Sequence, residues 1–154
     1  MSLYIYTEAD YLLDLHGGDW NEELAPLVFF PCGAGQKVEQ ETRRAAQALS
    51  VFMRVCSTAR NGLYSWAAQK GIPALLLERG GNGRWTFEEV NADCEDVLRL
   101  MNHLGIRKEE FDAVPQTEIA KSVQDLQGGF CMRPLHWAFA EMTRSLHMEQ
   151  HELP

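Results

Sequence analysis

No stretch of this sequence approaches the ~20 consecutive apolar residues that a membrane-spanning helix needs. The basic segment followed by a short apolar one that marks a secretory leader is also missing, so the cytoplasm is the expected compartment. Positive charge is not in excess. Fourteen Lys and Arg stand against 22 Asp and Glu, a net charge of −8. An acidic chain repels a phosphate backbone, which argues against nucleic acid as a partner. The four cysteines (Cys32, Cys56, Cys94 and Cys131) form no CxxC pair, so neither a zinc knuckle nor a thioredoxin-like site is indicated. Reduced, mostly buried thiols are the expectation. Internal repeats and low-complexity segments are absent. What remains is the balance of a soluble globular protein, with 45% hydrophobic and 23% charged residues. Its 154 residues are one domain's worth of chain, long enough to bury roughly 70% of its unfolded surface.

Strand-like and helix-like segments alternate as far as Gly105. Asp10 to Leu15 reads as a strand that stops at His16-Gly17-Gly18-Asp19. Leu24 to Phe30 reads as a second strand, and Pro26 inside it points to an edge position or a late start. Lys37 to Leu49 has helical spacing, with Val38, Ala45 and Leu49 on one face. Val51 to Cys56 is rich in β-branched and apolar residues and fits a short strand, with an extension of the preceding helix as the alternative. Leu63 to Lys70 is a short helix closed by Gly71. Ile72 to Leu77 is the most apolar run and suits a fully buried strand. Thr86-x-x-Glu89 is a capping box. The helix it opens aligns Phe87, Val90, Cys94, Val97, Leu98 and Met101 on one apolar face, which predicts that this face is buried. The alternation predicts an α/β fold, a mainly parallel or mixed sheet flanked by helices. Residues 1–105 form the expected core. Residues 106–154 form a tail with little strand signal, in which Leu135 to Met148 has amphipathic helical spacing.

Two places combine strand ends with chemistry. His16 closes a strand and is followed by two glycines, an arrangement that leaves an imidazole open at the carboxyl edge of a sheet, where α/β folds place ligands. Asp14, two residues earlier, lies on the same face and can hold that imidazole in one tautomer. Glu78 ends the most buried strand. Burial there would raise its pKa toward the range of a general base; the alternative is a half-solvated carboxylate paired with Arg79 or Arg84. Arg84 can meet a substrate carboxylate or pair with Glu88. Among the other histidines, His103 suits the end of its helix as a cap or packing residue, and His147 and His151 lie in the tail.

The stretch Ala9-Asp10-Tyr11-Leu12-Leu13-Asp14-Leu15-His16-Gly17-Gly18-Asp19 resembles a signature of the succinylglutamate desuccinylase/aspartoacylase family, as does Asn21 to Phe30 after it. Gly71-Ile72-Pro73-Ala74-Leu75-Leu76-Leu77-Glu78-Arg79-Gly80-Gly81-Asn82-Gly83-Arg84 resembles that family's second signature. The resemblance spans about residues 5 to 105. It implies a zinc-carboxypeptidase-like core and a zinc-dependent deacylase that hydrolyses the amide bond of a small N-acyl amino acid or a similar substrate. By this resemblance His16 is a zinc ligand, Asp14 stands behind it, and Glu78 takes a proton from the zinc-bound water and delivers it to the leaving amine.

The chain also departs from the family pattern. The His-x-x-Glu pair that holds zinc upstream is absent, since none of the 15 residues before His16 is a histidine. The arginine and asparagine-arginine positions for a substrate carboxylate are missing, and little of the C-terminal β-rich domain is recognisable. The expectation is therefore a truncated deacylase core with an incomplete zinc site. The competing readings are a non-catalytic α/β binding or oligomerising module, or one part of a split enzyme. The implied partners are a small substrate, another copy of the chain or a complementing chain.

Overall fold

The computed structural model describes residues 6–120. Five strands run in the order β1 (Leu12–His16), β2 (Glu23–Pro31), β3 (Met53–Ser57), β4 (Ala74–Gly81) and β5 (Thr117–Ala120). Helix α1 (Gln36–Ala48) follows β2, α2 (Leu63–Gln69) follows β3 and α3 (Phe87–His103) follows β4. The strands form one sheet in the spatial order β1-β4-β2-β3-β5. β4 is antiparallel to β2, and the other three pairings are parallel. The sheet is thus mixed, in an α/β fold.

The apolar run of β4 is continuous because both of its faces are covered. Leu75 and Leu77 pack with Val28, Phe30, Ala45, Leu49 and Leu100, the layer built with α1 and α3. Ala74 and Leu76 pack with Leu12, Tyr64, Ala67 and Ile72, the layer built with α2. Alternation along a strand sends neighbours to opposite layers, so a strand between two layers has no polar face.

The structure corrects four expectations. Pro26 lies in a central strand. It is tolerated because the β2–β4 ladder shifts register between Leu24 and Leu27, and pairing with β3 begins only at Leu27, so no ladder bond needs its missing N–H. The sheet continues past Gly105: β5 pairs with β3 from Met53–Thr117 to Cys56–Ala120. Gln116 Nε2 anchors this strand's approach by donating to the carbonyls of Leu49 (2.8 Å) and Val51 (3.1 Å). The 135–148 helix expected from spacing lies outside the described residues.

The capping box of α3 forms as expected, with Thr86 and Glu89 bonding reciprocally. The buried face of the helix is not the expected one. It buries Asp96, Arg99 and Leu100, whereas Phe87 is 75% exposed, Val90 and Cys94 are also exposed, and Val97, Leu98 and Met101 are only half-buried. The reason is an ion pair. Arg79 of β4 points into the α3 layer, where its Nε donates to Asp93 (2.8 Å) and its Nη2 to the fully buried Asp96. A buried guanidinium needs acceptors, and meeting that need turns α3 about its axis. Cys32 and Cys56 are joined in a disulfide, with Cα atoms 5.7 Å apart, rather than remaining reduced. Cys94 is free and exposed, and Cys131 lies outside the described residues.

Candidate active site

His16 and Glu78 are register partners on adjacent parallel strands. Parallel partners present their side chains on the same face, about 4.8 Å apart at the backbone. That face is the α2 layer, shared with Leu12, Asp14, Ala74 and Leu76 by the two-residue period. Sixty-two positions of sequence between an imidazole and a carboxylate therefore reduce to one strand spacing (78 − 16).

Asp14 holds His16. Its Oδ1 lies 3.2 Å from His16 Nε2, and the aspartate side chain is 13% exposed against 53% for the histidine. The shielded carboxylate thus orients an imidazole that remains open to solvent. Glu78 is half-buried, and its pKa is raised above the ordinary carboxylate value. Burial is the largest cause; nearby Glu22, Asp14 and Asp19 raise it further, and His16 pulls it back. A carboxyl displaced upward in this way is a better proton acceptor than an ordinary solvated carboxylate.

The loop after β1 is drawn over the end of β4. Asn82 N–H donates to the Glu22 carbonyl at 2.6 Å, and Gly83 N–H to the Gly18 carbonyl at 3.2 Å. Glycine is required where these segments cross. A Cβ on Gly18 would lie 2.8 Å from the Gly80 carbonyl oxygen, and one on Gly81 would lie 2.6 Å from that of Glu22. This close approach brings Asp19 and Glu22 near Glu78.

Arg84 stands at the same rim, exposed on the turn bridged by Gly81 and Arg84. Its expected pairing with Glu88 does not form among the described residues. Arg79 does not reach Glu78, since alternation sends it to the opposite face. His103 packs against α1, with Nε2 3.2 Å from Glu41 Oε1.

Two residues not singled out in the sequence also face this site. Tyr64 of α2 is buried and donates its hydroxyl to Ser57 Oγ at 2.8 Å. Its pKa is raised by burial first, opposed by the Ser57 hydrogen bond, and raised again by Glu78 and Asp14. Only the position of Tyr64, on the helix that leads into the Glu78 strand, hinted at this in the sequence. The described residues contain no group of three or more His, Cys, Asp or Glu placed to hold a metal ion. A catalytic zinc takes three protein ligands, so a single chain's described residues do not fit the zinc that the resemblance implies.

No family model and no curated protein matches this chain. Solved structures do share its fold. An ectoine utilization protein, EutE, from Ruegeria pomeroyi aligns with a TM-score of 0.69 at 18% identity, over 79% of this chain and 38% of that one. A succinylglutamate desuccinylase/aspartoacylase from Rhodobacter sphaeroides aligns with a TM-score of 0.63 at 20% identity, over 79% and 39%. A succinylglutamate desuccinylase from a Silicibacter species gives 0.66 at 19% identity, over 76% and 36%. The fold is therefore that of desuccinylase/aspartoacylase structures, and this chain spans well under half the length of each. Among the described residues no helix is long and apolar enough to cross a membrane.

Proposed function

We propose that this chain is a hydrolase of the deacylase type, cleaving the amide bond of a small N-acyl amino acid or a similar substrate. One observation carries the reading: His16 and Glu78 stand in register at the same sheet rim, and the carboxylate is tuned upward. The resemblance of both motifs and the shared fold support it.

In this reading Glu78 takes a proton from a water molecule as its oxygen attacks the acyl carbon. The C–N bond then breaks, and Glu78 delivers the proton to the departing nitrogen, leaving a carboxylic acid and an amine. Asp14 keeps the His16 imidazole oriented toward the reacting group. Arg84, exposed on the adjacent turn and without an ion pair among the described residues, would meet a substrate carboxylate in this reading. No step is assigned to zinc, since among the described residues His16 is the one imidazole at this rim and no group of three donors stands there.

The test is hydrolysis of N-acetylated and N-succinylated amino acids by the full chain, followed by amine release. Glu78→Gln is expected to lower kcat about 10²–10⁴-fold, the contribution of a positioned proton shuttle. Turnover unchanged in Glu78→Gln contradicts the assignment.

A further inference from the structure

In the layer opposite His16 and Glu78, the end of α1, the last turns of α3 and the loop before β5 surround a cavity of about 300 Å³. Arg99 of α3 stands in its wall and is 8% exposed. The guanidinium is fixed on three sides. Nε donates to Glu95 Oε1 at 2.7 Å, Nη1 donates to the Asp112 carbonyl at 2.9 Å, and the group lies over the Phe111 ring, 4.8 Å from its centroid. Phe111 and Asp112 line the same cavity, so the wall presents the charged end of Arg99 and not its stem. A guanidinium carries five N–H donors. Two are used, and the other three have no acceptor among the described residues. Glu95 is 47% exposed, so solvent screens that pairing. A buried cation held in this way is short of acceptors and of negative charge.

The other walls differ in character. Asn102 lies three residues on from Arg99, on the same face of α3. Its Oδ1 accepts from the Glu109 N–H at 2.9 Å, so its amide nitrogen adds two donors beside the guanidinium. His103 is already committed through Nε2 to Glu41. Across the cavity stand Gln47 and Ala48, the last residues of α1. Their carbonyls accept no hydrogen bond among the described residues, because Gln116 Nε2 reaches those of Ala46, Leu49 and Val51 instead. The last turn of α1 holds no basic residue. The partial negative charge of this helix C-terminus is therefore left unbalanced. The Phe111 ring, Ala113 and Val114 supply an apolar side.

We propose that this cavity binds a free α-amino acid with an aliphatic side chain. Its carboxylate meets Arg99 and Asn102, its ammonium meets the carbonyl end of α1, and its side chain lies against Phe111, Ala113 and Val114. Each part of the ligand answers one wall. An anion alone leaves the helix end unbalanced, and an amine alone is repelled by the guanidinium. Arg99 is already rigid, so little side-chain freedom is lost when the carboxylate arrives, and charge-assisted bonds to a guanidinium are among the strong ones. The volume lies at the lower end for small-molecule sites, which suits an amino acid and excludes a nucleotide or a folded peptide. The site stands on its own residues, in the layer opposite Glu78, and does not depend on the proposed hydrolysis.

Calorimetric titration of the full chain with L-leucine tests this without catalysis. One L-leucine per chain is expected. Isocaproate, which lacks the ammonium, and isoamylamine, which lacks the carboxylate, are each expected to bind about tenfold more weakly or worse. Arg99→Lys keeps the charge but loses the planar fork, and is expected to weaken L-leucine about tenfold or more. Arg99 is buried, so a second variant is placed at the exposed Ala113. Ala113→Phe is expected to keep the fold, checked by circular dichroism, and to lose binding because the added ring occupies the cavity. His16→Ala and Glu78→Gln are expected to bind L-leucine as the wild type does, which separates this cavity from the hydrolytic rim. No L-leucine bound, either analogue binding equally well, binding unchanged in a folded Arg99→Lys or Ala113→Phe, or binding lost in His16→Ala overturns the proposal. Hydrolysis assays bear on the proposed function separately.

Discussion

Asp14, His16 and Glu78 show how far single residues could be read. Their face-sharing followed from the two-residue period of a strand, and their shared rim from two apolar runs that end in polar residues. What the sequence could not supply was the partner of each side chain. Arg79 and Glu78 are adjacent in sequence yet face opposite layers, so the nearest cation in the chain is unavailable to the carboxylate. The raised pKa of Glu78 has a consequence for stability. A carboxyl whose folded-state pKa exceeds its unfolded value of 4.5 favours the fold while protonated. That contribution is present below the unfolded value and is lost as pH rises through the folded one. Glu78→Gln is therefore expected to be more stable than the wild type at neutral pH, with the advantage shrinking below pH 4.5. Denaturant melts across this range check it, and an advantage that grows on acidification contradicts it.

At the level of elements, caps and breaks were more legible than faces. The capping box of α3 was visible in its spacing, whereas the buried face of that helix was not. Periodicity reports an apolar stripe without saying what the opposite side must satisfy, and here Asp96 is required inside by Arg79. Strand β5 escaped notice because its residues, Thr117 to Ala120, form an outer strand among the described residues, where apolar alternation is not demanded. The glycines at the β1–β2 loop were legible as places without bulk, but the reason is a backbone crossing rather than ligand access alone. Gly18→Ala is expected to destabilise the chain by about 1–3 kcal/mol, since the Cβ meets backbone that cannot move aside. A chemical melt measures this, and a change within error would mean that the crossing is loose. The Cys32–Cys56 bond could not be read from spacing because the end of β2, which Cys32 follows, and β3, which carries Cys56, become neighbours only in the sheet. Its 24-residue separation predicts a loss of about 3 kcal/mol on reduction with a dithiol, read as a lower denaturation midpoint.

At the scale of the molecule, the alternation of strands and helices gave the class of fold, and the sheet's mixed character emerged from the β2–β4 pairing. Strand order is a long-range property: β1 and β4 become neighbours only after two intervening strands are placed beyond β4. The functional reading depends on that order, because it alone sets an imidazole beside a carboxylate. The most direct test is an NMR titration of the Glu78 side-chain carboxyl carbon in the wild type and in His16→Ala. A midpoint above 4.5 in the wild type, rising further when His16 is removed, is the predicted result. A midpoint at or below 4.5 that ignores the loss of His16 would show that the two side chains do not share a site.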